Sequence, residues 1–176
     1  MHYFHWIAGT ILALAWFSRI VDAAIGMPSV TDISRPEWDR RVSVNSASVN
    51  PRVSIIVPAR NEEEAIEQSL TRLLELDYGN YEVIAVDDRS TDRTGEIMEE
   101  VRRSQNPHPL AKNARRMGHP ALRVIHHREL PPGWLGKTHA MWTAAKEADG
   151  EWLLFTDADV LFKPDSLRRA MAYAEA

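Results

Sequence analysis

Asp157 and Asp159 stand one residue apart, directly after the apolar run Trp152 to Phe155. Hard carboxylate oxygens at that spacing suit Mg²⁺ or Mn²⁺, ions that bind through one or two carboxylates and complete their shell with waters and substrate phosphates. Two further polar clusters also follow apolar segments: Pro58-Ala-Arg-Asn-Glu62 after Val53 to Val57, and Asp87-Asp-Arg-Ser-Thr-Asp92 after Glu82 to Val86. The first, with Ala59, Arg60 and Asn61 at a helix start, suits a phosphate or a nucleobase, because free N–H groups and the positive dipole end face outward there. In the second, Asp88 is an acceptor-only carboxylate suited to the N–H of a uracil-like base edge. Ser90, Thr91 and Asp92 beside it also read as caps for the next helix, and Asp87 supplies a second carboxylate so that both roles can coexist. Lys137, after Gly136 at another helix start, can neutralise a diphosphate. Each feature has a plainer reading, since Asp-x-Asp alone is as often a solvated helix-capping turn and a single lysine a solvated cation.

For these clusters to meet, the apolar segments must be parallel strands whose carboxyl ends share one rim. The pattern predicts this. Val53 to Val57 is a β-branched strand ended by Pro58. A helix follows from Asn61 as its cap, with Glu62, Glu63 and Glu64 in its first turn and Ala65, Ile66, Leu70, Leu73 and Leu74 inward. Glu82 to Val86 is the second strand, and a helix opened by Thr91 or Asp92 buries Ile97, Met98 and Val101. A loop with Pro107, Pro109, Gly118 and Pro120 leads to a third strand, Leu122 to Ile125. After the turn Leu130-Pro-Pro-Gly-Trp-Leu-Gly136, a helix from Lys137 or Thr138 carries Ala140, Met141, Ala144, Ala145 and Ala148 inward. The continuous run Trp152 to Phe155 predicts a central strand covered on both faces, and Pro164 with Asp165 starts a last helix. Strands alternating with helices imply an α/β three-layer sandwich with a mostly parallel sheet over residues 52–176.

The totals exclude some functions. With 176 residues, a formal charge of -4 and no cysteine, the chain carries no disulfide framework, no thiolate metal site and no basic run for nucleic acid. No Gly-x-Gly-x-x-Gly follows the first strand, which argues against a dinucleotide-binding oxidoreductase. A phosphoacceptor receiver domain is disfavoured by order, because Lys137 precedes the last acidic strand. His126, His127 and His139 match no zinc spacing and read as strand-end and helix polar residues. The N-terminus is different. Phe4 to Phe17 is apolar apart from His5 and Thr10 and spans roughly 21 Å, and continuing to Gly26 reaches across a hydrocarbon core near 30 Å. Residues 1–26 are therefore expected to form an uncleaved membrane anchor with Trp6, Trp16 and Phe17 as interfacial residues. Residues 27–51 read as a linker in which Trp38 could touch headgroups. The cations Arg19, Arg35, Arg40, Arg41 and Arg52, all on the C-terminal side of the apolar run, place the α/β domain in the cytoplasm.

In this order and at these intervals, Pro58-Ala-Arg-Asn-Glu, Val86-Asp-Asp-Arg-Ser-Thr-Asp, Gly136-Lys and Thr156-Asp-Ala-Asp resemble the donor-binding half of family 2 glycosyltransferases with the GT-A fold. The stretch Leu130-Pro-Pro-Gly-Trp-Leu-Gly-Lys-Thr-His-Ala, with the N-terminal segment, is similar more narrowly to the hopene-associated glycosyltransferases of bacteria. The resemblance implies a Rossmann-like GT-A domain, incomplete at its C-terminus, that binds a nucleoside-diphosphate sugar, with a UDP-sugar favoured. It implies Asp88 on the base, the Pro58 to Glu62 loop around the nucleoside, and Lys137 near the base or phosphates. Asp159 becomes the principal ligand of Mg²⁺ or Mn²⁺, and Asp157 reaches the ribose or sugar. A lipid or hopanoid acceptor and attachment to the bacterial inner membrane are implied by the same resemblance. The catalytic base is expected beyond Ala176, so that the chain alone binds donor without transferring sugar; a membrane-tethered nucleotide-sugar-binding module is the other reading.

Overall fold

The computed structural model describes residues 2–26, 32–33, 50–105 and 121–174. The chain divides into two compact units, Met1–Pro36 and Glu37–Ala176. In the first, His2–Gly26 is one helix, α1, with Ile11, Leu12, Leu14, Trp16, Phe17 and Ile20 exposed. The expected membrane span is corrected here: among the described residues no helix is long and apolar enough to cross a membrane. Ser18, Arg19 and Asp22 interrupt the run, and the apolar stretch from Phe4 to Phe17 that precedes them covers roughly 21 Å of a core near 30 Å. The linker lies almost wholly outside the described residues, and the contact expected of Trp38 and the loop between Gln105 and Ala121 lie wholly outside them.

The second unit alternates strand and helix: β1 Val53–Ala59, α2 Ile66–Leu74, β2 Tyr81–Asp88, α3 Thr94–Gln105, β3 Ala121–His127, α4 Gly136–Glu147, β4 Trp152–Phe155 and α5 Ser166–Ala174. The sheet order is β3-β2-β1-β4, and every pairing is parallel. Side chains alternate across a strand, and the apolar residues of β1 and β2 fall on both faces, so these strands must be covered twice. Ile55, Val57, Val83 and Ala85 pack against Ile66, Leu70, Leu73, Met98 and Leu167 from α2, α3 and α5. On the opposite face Ile56, Ile84 and Val86 meet Ala140 and Ala144 of α4. Each large side chain buried this way contributes about 1.5–3 kcal/mol. The three-layer parallel architecture is the one the sequence pattern predicts.

The strand leading to the two aspartates differs from expectation. β4 is the outer strand of the described sheet, and Trp152, Leu153 and Phe155 are each more than 40% exposed. An apolar run reports that a strand needs cover but not where it sits, and the better-covered runs are β1 and β2, whose residues are all buried. Pro58 does not end β1, which continues to Ala59 and pairs Pro58 with Val86. The carbonyl of Ile56 accepts the N–H of Thr156. Pro58, two residues on, turns its missing N–H to the same side, beyond the end of β4 where no ladder bond is required.

At the amino ends of the strands lies a buried carboxylate. Glu82 is 1% exposed, and its Oε1 accepts the Ser54 hydroxyl at 2.7 Å and the Asp149 N–H at 3.0 Å. Arg52 and Arg123 stand 3.8 Å and 3.7 Å from its Oε2, and Gly150 N–H donates to Ser54 Oγ at 2.9 Å. One acid thus joins β1, β2, β3 and the turn between α4 and β4.

Candidate functional site

Strand order selects the site. The chain steps outward from β1 to β2 to β3 and then returns to place β4 on the other side of β1. The loops after β1 and β4 therefore diverge, and a crevice opens at the carboxyl ends where ligands bind in open α/β sheets. There the structure has a cleft of ≈ 330 Å³ lined by Pro58, Ala59, Arg60, Glu62, Asp88, Gly136, Lys137, Asp157, Ala158 and Asp159. Eight of the residues singled out in the sequence meet in it; Asn61 and Asp87 do not line it.

Asp87 is turned away because neighbouring strand residues face opposite sides of a sheet. Its Oδ1 accepts the Ser90 N–H at 3.0 Å, its Oδ2 lies 3.1 Å from His126 Nδ1, and it opens on a second cleft with Asp92, Glu96 and Glu99. It shapes the turn rather than the cleft wall. Asn61 likewise has another job. Helix α2 starts only at Ile66, without a side-chain cap, so Asn61 does not cap it and Glu62 to Glu64 precede its first turn. Asn61 adopts φ 56°, and its Oδ1 accepts the Thr91 N–H at 2.8 Å while its own N–H donates to Ser90 Oγ at 3.1 Å.

Those bonds belong to a zipper between the loops after β1 and β2. Glu62 N–H donates to Thr94 Oγ1 at 2.8 Å, and Arg93 N–H donates to Glu63 Oε2 at 3.0 Å. Asp92 Oδ1 receives both the N–H and the hydroxyl of Thr94, at 3.0 Å and 2.6 Å, so the start of α3 is tied into the same network. Desolvation alone would raise the Asp92 carboxyl, but the bonds from Thr94 and from Glu63 N–H hold it below the ordinary carboxylate range. Thr94 is fully buried. Thr94→Val keeps its volume but removes the acceptor for Glu62 and the donor to Asp92, and is expected to lower stability by about 1–3 kcal/mol in urea denaturation.

Asp88 is 2% exposed and gripped by its neighbour: Arg89 Nε donates to Oδ1 at 2.8 Å and Nη2 to Oδ2 at 3.1 Å. That fork, foremost, holds the Asp88 carboxyl below its usual range against the opposing effect of burial, with Arg60 and His127 assisting. A side chain at Gly136 would place Cβ 2.1 Å from Asp88 Oδ2, so only glycine lets the start of α4 close over the carboxylate. Lys137 forms an ion pair with Asp157 across the mouth of the cleft, both side chains being about 60% exposed. Asp157 and Asp159 project as exposed carboxylates on either side of buried Ala158. Among the described residues no group of three or more His, Cys, Asp or Glu side chains could hold a metal. Two hard oxygens without a protein cage fit a divalent ion whose shell is completed by phosphate oxygens and water.

The histidines make no metal group. His126 bridges Asp87 and, at 3.4 Å, Glu99. The His127 ring lies 4.6 Å from His139, which also packs edge-on against Trp134 at 5.4 Å. Burial, foremost, pushes the His127 imidazole below its ordinary pKa, with His139 adding to that effect. Sequence reasoning missed Arg89, Gly136 as a contact, and Thr94. Their signal was only adjacency to singled-out residues.

Residues 54–176 match the profile of Glycosyl transferase family 2. The chain belongs to that family. Among curated relatives of this family 2 chain is the undecaprenyl-phosphate 4-deoxy-4-formamido-L-arabinose transferase of Proteus mirabilis, 30% identical over 70% of this chain and 34% of that protein. Another is the beta-monoglucosyldiacylglycerol synthase of Synechocystis, 29% identical over 98% of this chain and 32% of that protein. The chain thus spans about a third of the length of these relatives. Among solved structures, the Pyrobaculum calidifontis mannosyltransferase PcManGT in complex with GDP-Man and Mn²⁺ is similar with a TM-score of 0.60 and 28% identity, over 90% of this chain and 43% of that one. Staphylococcus aureus TarS in complex with UDP gives a TM-score of 0.52 and 30% identity, over 70% of this chain and 32% of that one.

Proposed function

We propose that this family 2 chain forms the donor side of a glycosyltransferase that moves a sugar from a nucleoside diphosphate to an acceptor. The observation that carries the reading is the convergence of Asp88, Lys137, Asp157 and Asp159 on one cleft at the strand-order switch point. Asp88 accepts an N–H of the base, and Arg60 and Glu62 flank the nucleoside. Lys137 supplies positive charge beside the diphosphate. Asp157 and Asp159 hold Mg²⁺ or Mn²⁺, which when bound offsets the charge that develops on the departing diphosphate. The mannosyltransferase solved with GDP-Man and Mn²⁺ and the TarS complex with UDP support this assignment of ligand classes.

The acceptor is proposed to be a lipid, hopanoids included, in keeping with relatives named for undecaprenyl-phosphate and diacylglycerol substrates. The place of action is the cytoplasmic face of a bacterial inner membrane, where the exposed apolar side chains of α1 would meet lipid. Calorimetry of UDP and GDP with and without Mn²⁺ tests the donor reading. Binding is expected to tighten roughly tenfold with Mn²⁺, and Asp159→Asn is expected to remove that gain. Absence of binding by any nucleoside diphosphate, or full metal enhancement in Asp159→Asn, refutes it. Donor binding without glycolipid formation, on incubation with nucleotide sugars and bacterial lipid, would leave the chain as a binding module.

A further inference from the structure

We infer that Arg89 is the positioning residue for base recognition: it holds Asp88 as a permanent hydrogen-bond acceptor, so that the cleft selects bases bearing a ring N–H. The inference rests on the donor-binding reading above and adds what sets its base selectivity.

Three features of the structure converge on this pair. Arg89 adopts φ 59°, a left-handed conformation uncommon for a residue with a long side chain and sustained only where the surroundings enforce it. The turn does so: Ser90 N–H is bonded to Asp87, and Thr91 N–H to Asn61. That backbone turns the guanidinium back onto the preceding residue, and Nε and Nη2 take one oxygen each of Asp88. Space for the fork exists because position 136 is glycine; a Cβ there would lie 2.8 Å from Arg89 Nη2 as well as against Asp88. Arg89 itself does not line the cleft, whereas Asp88 does. The arginine therefore acts through the carboxylate, taking one hydrogen bond to each oxygen while Asp88 lines the cleft.

The chemical consequence is a choice of base. An ionised carboxylate only accepts, so it matches uracil N3–H or guanine N1–H and opposes the bare N3 of cytosine. A protonated carboxyl would donate and favour cytosine instead. Asp88 is almost fully buried, and burial drives a carboxyl toward its neutral form. Arg89 is the strongest influence in the other direction. The remaining charges facing the carboxylate are Arg60 after β1 and His127 on β3, with Lys137 of α4, Glu62, Asp157 and Asp159 around the same cleft.

The test is the pH dependence of UDP and CDP affinity, measured by calorimetry on the whole chain and two variants. Arg89→Asn tolerates the left-handed backbone but removes the fork; Arg89→Lys keeps the charge without the bidentate geometry. In the wild-type protein the preference for UDP over CDP should change between pH 7 and pH 5 only as far as protonation of cytosine N3 itself requires. In Arg89→Asn it should shrink roughly fivefold or more beyond the wild-type change on going to pH 5, as Asp88 takes up a proton, with Arg89→Lys intermediate. His127, the ligand phosphates and cytosine N3 are the same in all three sets of measurements, so their titrations cancel when each variant is compared with the wild type. A merely structural role would weaken UDP and CDP alike at both pH values, and that result overturns the inference. So does an unchanged pH profile in Arg89→Asn. If the wild-type chain binds no nucleoside diphosphate at all, the donor reading falls and this inference with it.

Discussion

Glu82→Ala is expected to remove about 3–4 kcal/mol of folding stability, read as a drop in the urea midpoint with little change in slope. The carboxylate is fully buried and answers two uncharged donors, Ser54 Oγ and Asp149 N–H, before any ion pair is considered. Orphaning each costs about 1–3 kcal/mol where water cannot replace the acid. Arg52 and Arg123 add less, because their side chains remain 29% and 36% exposed and can turn to solvent. Glu82→Gln retains an acceptor for Ser54 and should lose only about half as much. Against a domain stability of about 5–15 kcal/mol, the alanine variant loses roughly a fifth to four fifths of the total. A loss below about 1 kcal/mol would show that the network closes over the gap.

Gly136→Ala is expected to weaken nucleotide binding by roughly ten- to a hundredfold, a loss of about 1.4–2.8 kcal/mol. A methyl group placed 2.1 Å from Asp88 Oδ2 cannot coexist with the carboxylate where it stands. Asp88 cannot simply rotate, since both oxygens are held by Arg89 and the side chain is buried. Either the start of α4 moves outward, carrying Lys137 from its place opposite Asp157, or the Asp88–Arg89 fork breaks. Both outcomes disturb the cleft at its centre. UDP affinity by calorimetry, with circular dichroism to confirm folding, decides the matter; unchanged affinity would mean that α4 shifts without consequence for the ligand.

Much of this molecule was legible in its residue order. Val53 to Val57 and Glu82 to Val86 declare strands, and their alternation with helical segments declares a parallel sheet. The polar clusters that end each run declare a shared rim, because parallel strands all terminate on one side. Hence Pro58, Arg60, Glu62, Asp88, Asp157 and Asp159 could be placed on one rim from residue order, and Lys137 joined them through the resemblance to family 2. The helix faces Ile66, Leu70, Leu73 and Met98, Val101 were readable from their 3.6-residue period.

Everything set by partners distant in sequence required the tertiary structure. The apolar run Trp152 to Phe155 demands cover but does not say where in the sheet it lies, and in the described sheet it has a neighbour, β1, on one side only. Asp87 and Asp88 are chemically identical neighbours, yet the pleat sends one to Ser90 and His126 and the other to the cleft. Asn61 has the chemistry of a helix cap, but a stronger set of bonds to Ser90 and Thr91, contributed by another loop, draws it into a left-handed turn. Glu82 reads as an acid beginning a strand, and only the arrival of Ser54, Asp149, Arg52 and Arg123 from other elements turns it into a structural anchor. Local sequence specifies which backbone shapes and charges are available; which of them meet is decided by chain crossings, because hydrogen bonds and close contacts act over a few ångströms in space and are indifferent to separation along the chain.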